Sequence, residues 1–221
     1  MKRENTGLLA DWERRALIWM AERMPRAVNS DHLTTVGVAG MLLTAGAFWA
    51  GGTHPGALLF VLVGLVINWA GDSLDGTLAR VRNQQRPRYG YYVDHVLDTA
   101  GTLVLFVGIA LGGWMSPLVA LITLVAYYLV SIEVYLATFA LGRFRMSHWG
   151  LGPTELRVVI AAGALGAMVH PRAHLFGLDL PLFDPAGVIG AAGLLVVAVW
   201  SAIANARALY RAEPVPPATA A

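Results

Sequence analysis

The sequence predicts an all-α integral membrane bundle: six transmembrane helices preceded by an amphipathic interfacial helix. Three observations predict it. The 221-residue chain is 57% hydrophobic and 14% charged, with a mean hydropathy of +0.58, where a soluble domain carries about a quarter charged residues. Six apolar stretches follow one another after residue 30, most of them near the 20 or so residues that a spanning helix needs. Lys and Arg gather in alternate connections between these stretches, the bias that orients spans in a bilayer. Cysteine is absent, which excludes disulfides and thiolate chemistry and restricts any metal site to oxygen or imidazole ligands.

The first segment, 1–30, holds the stretch Leu8 to Val28, where Leu9, Trp12, Ala16, Trp19 and Met20 fall at helical spacing and Arg14, Arg15, Glu22 and Arg23 lie elsewhere. That pattern predicts a helix lying in the headgroup layer, tryptophans down and arginines toward anionic lipid. An ordinary soluble amphipathic helix is the other reading. The mixed charge, without a short apolar core and a small-residue cleavage site, predicts no removable signal peptide. The membrane domain covers 31–210, with spans at 33–50, 57–82, 91–114, 117–141, a shorter one at 154–169, and 185–206. Ser30 and Asp31 are good caps for the first. The tail, 211–221, is expected to be disordered.

Basic residues occupy the N-terminus, the second-to-third connection (Arg80, Arg82, Arg86, Arg88), the fourth-to-fifth (Arg143, Arg145) and the end of the last span (Arg207, Arg211). The opposite connections contain only Arg172. Six spans with both termini cytoplasmic satisfy this bias.

Residues 72–98 read DSLDGTLARVRNQQRPRYGYYVDHVLD. Helical spacing puts Asp72, Asp75, Gly76 and Ala79 on one face of the second span, and Asp94 and Asp98 on one face of the third. The short loop makes these spans antiparallel neighbours, so the four carboxylates converge near the cytoplasmic surface. Acids crowded there repel one another and lose hydration, at about 2.5–3.5 kcal/mol per charge near the bilayer centre and less near the interface. Mg2+ or Mn2+ answers both problems, since hard cations take oxygen ligands. Two such ions can clamp phosphate oxygens in a displacement. Gly76 and Ala79 leave a notch beside the acids, and Gly90 opens the next helix one turn before Asp94. Small residues in spans more often serve packing. Buried acids also suit a cation-coupled transporter, which stays open as an alternative.

The pattern Asp72-x-x-Asp75-Gly76-x-x-Ala79-Arg80, nine residues, Gly90-x-x-x-Asp94-x-x-x-Asp98 resembles the complete signature of the CDP-alcohol phosphotransferase family, as does the six-span plan with a preceding interfacial helix. The resemblance implies transfer of a substituted phosphate from a CDP-linked alcohol to an acceptor hydroxyl, with release of CMP, in phospholipid synthesis. It implies that Asp72, Asp75, Asp94 and Asp98 ligate metal, with Asp98 also the general base and Asp94 its catalytic companion. Gly76, Ala79, Arg80 and Asp72 would meet the nucleotide. Membrane lipids and a second copy of the chain are the expected partners, with no nucleic acid, and the expected place is a bacterial inner membrane. An inactive lipid-binding relative is the remaining alternative.

Donor and acceptor exchange roles within this family. His95 after Asp94, Glu133-x-Tyr135, and Gly152-Pro153-Thr154-Glu155 resemble the aminoalcohol branch, which uses CDP-choline or CDP-ethanolamine. The short chain resembles bacterial phosphatidyltransferases, which use CDP-diacylglycerol, and Arg143, Arg145 and Arg157 with His148 suit a phosphorylated acceptor. The branch stays open at this point. Glu133 reads equally as an acceptor-side group or as a brace to an arginine. His95 reads as an acceptor-side or supporting group, and Glu155 mainly as a helix-start acid. Ser30-Asp31-His32-Leu33-Thr34 resembles the family's Pro-Asn-x-Leu-Thr start, with the first two residues changed.

Overall fold

The computed structural model describes residues 10–141 and 153–213. Its elements are α1 (Ala10–Arg23), α2 (Ser30–Gly51), a 3-10 turn (Pro55–Leu58), α3 (Leu59–Val81), α4 (Pro87–Leu111), α5 (Pro117–Leu141), α6 (Pro153–Val169), β1 (Arg172–Leu175), β2 (Leu178–Pro181) and α7 (Asp184–Ala212). Five helices are long and apolar enough to cross a membrane: α2, α3 with its leading turn, α4, α5 and α7. The predicted fifth span is α6, whose apolar part is only Leu156–Val169. Its 17 residues reach about 25 Å at 1.5 Å per residue, against a hydrocarbon core of about 30 Å. Among the described residues there are therefore five full-length spans and one shorter apolar helix. The chain is mostly helical, as expected, with one element the sequence did not predict: 172–181 forms an antiparallel hairpin.

Helix α2 lies at the centre, packed along α3 and α4, while α5 packs on α7 and α4, and α6 on α3. Glycine makes the α2–α3 contact close. A methyl group at Gly40 would overlap Asn68 N, and one at Gly71 would overlap Gly37 N and lie 2.5 Å from its Cα. Such small-residue seams let spans approach when lipid supplies no hydrophobic drive between them.

The start of α2 differs in detail from expectation. Asn29, not Ser30 or Asp31, is the cap: its side chain accepts the His32 N–H at 2.9 Å, and His32 answers in a capping box. That leaves Ser30 and Asp31 free for longer-range bonds. Asp31 pairs with Arg86 from the α3–α4 loop.

Helix α1 is docked on α3 through Leu17 and Ala21, packed with Leu33, Leu74 and Leu78. The Glu13 carboxylate accepts from Trp69 Nε1 at 2.6 Å and from Thr154 Oγ1 at 3.1 Å, tying α1 to α3 and α6. Arg82 closes the other end of α1, donating to the carbonyls of Met24 and Pro25 at 2.9 Å each. Of the predicted lipid stripe, Trp19 is 57% exposed, beneath the Arg23 guanidinium. Leu9 and the Trp12 side chain lie outside the described residues.

At the opposite end, buried Asp184 accepts the Ser116 N–H at 2.6 Å and its hydroxyl. The Phe183 N–H donates to Trp114 O at 3.0 Å, and Trp114 Nε1 donates to Phe48 O at 2.8 Å. These bonds fasten the starts of α5 and α7 to the end of α2, over a core of Phe48, Val61, Leu65 and Ile109. Helix α7 runs to Ala212, past the predicted boundary at 210. Residues 214–221 lie outside the description.

Candidate active site

The second half of α3 and the first half of α4 meet as antiparallel neighbours, joined by residues 82–86. Asn83 adopts a positive φ of 55° in that loop, a conformation in which asparagine is enriched. This geometry brings Asp72, Asp94 and Asp98 together: one carboxylate oxygen from each lies within 4.8 Å of the others. Asp75 lines the same cleft, but its carboxylate is committed to local partners. It accepts from Thr34 Oγ1 at 2.7 Å and from the Gly76 N–H, while its backbone carbonyl accepts from Ser30 Oγ at 2.9 Å.

The donors are all carboxylate oxygen, with neither sulfur nor imidazole in the group, and this set suits a hard divalent cation such as Mg2+ or Mn2+. Asp98 is the exposed member of the three, and Asp72 and Asp94 are half-buried. An approaching hydroxyl therefore reaches Asp98 most readily.

Arg157 belongs to this cluster. From α6 its Nη2 donates to Asp72 Oδ2 at 2.6 Å and its Nε to Asn68 Oδ1 at 2.9 Å. Asn68, buried, donates in turn to Gly37 O at 3.0 Å. The chain α2–Asn68–Arg157–Asp72 sets the angle of one carboxylate and places a positive charge among the acids, offsetting their mutual repulsion. The sequence pattern placed Arg157 in a basic acceptor group and passed over Asn68 and Thr34. Asn68 stands one helical turn before Asp72, so a polar residue on the acid-bearing face of an apolar span was the available signal.

Gly76 behaves differently from the packing glycines. Among the described residues, a methyl group there would meet only Arg80 Nη1, at 3.4 Å, and one at Gly90 would meet nothing within 4 Å. Neither position is kept small by a neighbouring helix among the described residues. Ala79 is half-buried. Arg80 is exposed at the end of α3, and its Nη2 donates to Thr77 Oγ1 at 2.9 Å. Beyond the carboxylates the cleft continues between α2 and α4 along Val38, Met41, Leu42, Leu97 and Val104. It is charged at one end and apolar at the other.

Of the residues resembling the aminoalcohol branch, His95 stands beside the carboxylates, its Nδ1 3.7 Å from Asp94 Oδ2. His95 is buried on α4 between Tyr91, stacked at 4.1 Å, and Tyr135 of α5, edge-on at 4.9 Å, with Nδ1 2.7 Å from Tyr91 O. Glu133 meets no arginine in the hydrogen bonds and ion pairs described for it. It accepts from Ser201 Oγ at 2.8 Å and Asn205 Nδ2 at 2.6 Å, joining α5 to α7. Arg143, Arg145, His148, Gly152 and the Glu155 side chain lie outside the described residues.

This chain is 28% identical over 160 residues to an archaetidylinositol phosphate synthase of Methanothermobacter thermautotrophicus, covering 72% of this chain and 76% of that one. In fold it is similar to the crystal structure of Mycobacterium tuberculosis phosphatidylinositol phosphate synthase (PgsA1) with CDP-DAG bound. The TM-score there is 0.59 at 20% identity, over 94% of this chain and 99% of that one. Residues 28–205, which contain every carboxylate of the cleft, match the family model for CDP-alcohol phosphatidyltransferase, and the chain is an integral membrane transferase belonging to that family.

Proposed function

We propose that the chain transfers the phospholipid moiety of a CDP-diacylglycerol-type donor to a hydroxyl of a phosphorylated polyol such as inositol phosphate, releasing CMP. The observation that carries the donor assignment is the two-natured cleft. Carboxylates line one end and Val38, Met41, Leu42, Leu97 and Val104 the other, so a nucleotide diphosphate and a lipid tail can lie along one path. The two relatives, both inositol phosphate lipid synthases by name, support a phosphorylated acceptor. Arg143 and Arg145, in the connection before α6, add positive charge suited to such an acceptor.

Asp72, Asp94 and Asp98, with Asp75 beside them, would hold the divalent cations, which when bound supply positive charge to the phosphate oxygens. The chain's own residues do the rest. Gly76 and Ala79 leave space for the cytidine against α3, and Arg80 lies where it can reach the diphosphate. Asn68 and Arg157 fix the direction of Asp72. Thr34 and Ser30 hold Asp75 and the turn of α3 behind it. Asp98, the exposed carboxylate, takes the proton of the acceptor hydroxyl as its oxygen bonds to the donor's lipid-bearing phosphorus. The bond from that phosphorus to the CMP oxygen breaks, and CMP leaves with the electron pair. Orientation and charge placement, rather than covalent catalysis, carry such a displacement. The charge bias of the connections supports a site on the cytoplasmic face of the membrane.

The deciding assay is CMP release by the purified protein in detergent with Mg2+ or Mn2+. CDP-diacylglycerol with inositol phosphate or glycerol phosphate is set against CDP-choline and CDP-ethanolamine with diacylglycerol. CMP from the first donor alone is expected. CMP from an aminoalcohol donor alone would overturn the donor assignment, and ion flux without CMP would overturn the transferase reading of the site.

A further inference from the structure

The hairpin 172–181 is amphipathic across its two faces. Its register pairs Arg172 with Pro181, Ala173 with Leu180, His174 with Asp179 and Leu175 with Leu178. Directly paired residues share a face and alternate along each strand. One face therefore carries Arg172, His174 and Asp179, and the other Ala173, Leu175, Leu178 and Leu180. The polar face is satisfied within itself: Arg172 bonds the Asp179 carboxylate, and His174 Nδ1 lies 3.3 Å from it. On the apolar face, Ala173 and Leu180 at the base are half-buried, with β2 against α7. Toward the tip the face is uncovered, with Leu175 43% and Leu178 59% exposed.

The turn itself is unusual. Phe176 and Gly177 have φ of 51° and 78°, the two positive values of a type I′ turn, where Asn-Gly and Gly-Gly are preferred. A bulky aromatic residue at positive φ is an outlier. This one is also 94% exposed, so among the described residues its ring has almost no protein contact to offset the strain. An isolated two-stranded hairpin is marginal in water, and an uncovered apolar face with an aromatic tip marks an interaction surface.

The position of the hairpin names the occupant. It leaves the end of α6 and enters α7 at Asp184, which is bonded to Ser116 between α4 and α5. The hairpin thus sits at the ends of the spanning helices opposite the carboxylates, at the level of Trp114. Helix α6 is too short to carry it clear of the bilayer. We infer that the hairpin is a membrane paddle: Leu175, Phe176 and Leu178 insert at the headgroup–acyl boundary of the leaflet opposite the active site, with Arg172, His174 and Asp179 turned to water. A large apolar contribution under a polar cover is the pattern of interfacial binding.

The absence of cysteine makes the test direct. Single variants Phe176→Cys, Leu178→Cys and His174→Cys of the full chain are spin-labelled and reconstituted in phosphatidylcholine–phosphatidylglycerol vesicles. Collision with oxygen, enriched in lipid, is compared with collision with a water-soluble nickel chelate. Labels at 176 and 178 are expected to favour oxygen, and the label at 174 to favour nickel. Nickel access at 176 and 178 equal to that at 174 would overturn the proposal. So would protection of 176 and 178 from both reagents, which would place a protein surface, such as a second copy, over this face. Two labelled positions on the apolar side keep the test sound if one substitution disturbs folding.

Discussion

Asp98 combines two properties that no other acid of the cleft has together: it belongs to the three-carboxylate cluster, and it is the exposed member. Asp98→Asn keeps the shape and removes the base. A general base contributes about 10²- to 10⁴-fold, and CMP release should fall by that order while the protein still elutes as a folded species. Turnover near wild type would remove Asp98 from that role. Gly76 supplies a second single-residue test. Among the described residues a methyl group there would meet only Arg80 Nη1, at 3.4 Å, so Gly76→Leu should fold normally yet weaken donor binding, read as a raised KM for the CDP-lipid. A drop in thermal stability with unchanged KM would instead make Gly76 a packing glycine. Arg157 is more than a surface cation, because its bonds to Asp72 and Asn68 make it part of the carboxylate geometry. Arginine's planar fork serves two partners at once, which lysine's point charge does not.

At the scale of the helix, two kinds of interface hold the bundle, and they predict different responses to mutation. The α2–α3 seam is a close approach of backbones, where even a methyl group at Gly71 overlaps the Gly37 amide. Gly71→Val should cost about 1–3 kcal/mol of overpacking or more, measured as a lower unfolding temperature in detergent. The α5–α7 interface is held partly by Glu133 with Ser201 and Asn205. Interhelical hydrogen bonds in membranes average about 0.6 kcal/mol, so Glu133→Gln should lower stability slightly and leave turnover at saturating acceptor near wild type. A large loss of turnover without a stability change would return Glu133 to the acceptor site.

These cases also mark what the sequence made legible. Asp72, Asp94 and Asp98 could be placed together, with Asp75 beside them, because helical spacing fixes faces and a short loop fixes neighbours. The partners of Glu133, Asn68 and Thr34 could not, because a polar residue in an apolar span looks the same whichever helix it will meet. The hairpin was missed for a related reason. Its apolar alternation spans only four residues per strand, and its turn carries Phe where an Asn or Gly signal would be sought.

The hydrogen bonds connect the two ends of the molecule into a definite thread. Ser30, at the start of α2, bonds the carboxylate-bearing turn of α3, so α2 begins on the active-site side. Helices α3, α4 and α5 then alternate in direction. Thr154 and Arg157, at the start of α6, bond Glu13 and Asp72 and so lie on that same side. The start of α7, by contrast, is fastened to Ser116 on the other side. Between these points the chain has only α6 and the hairpin with which to cross. We therefore predict that α6 makes a sixth crossing despite reaching about 25 Å. A short span is accommodated by local thinning of the bilayer at modest cost per ångström, and here the paddle at its end would lie within the interface. The consequence is a sidedness that can be measured in the otherwise cysteine-free chain. In sealed vesicles of one orientation, Gln85→Cys, exposed in the α3–α4 loop on the active-site side, and His174→Cys, on the polar face of the hairpin, should react with a membrane-impermeant maleimide from opposite sides. Reaction of both from the same side would mean that α6 does not cross, and that the positive ends of the chain are not all gathered around the carboxylates.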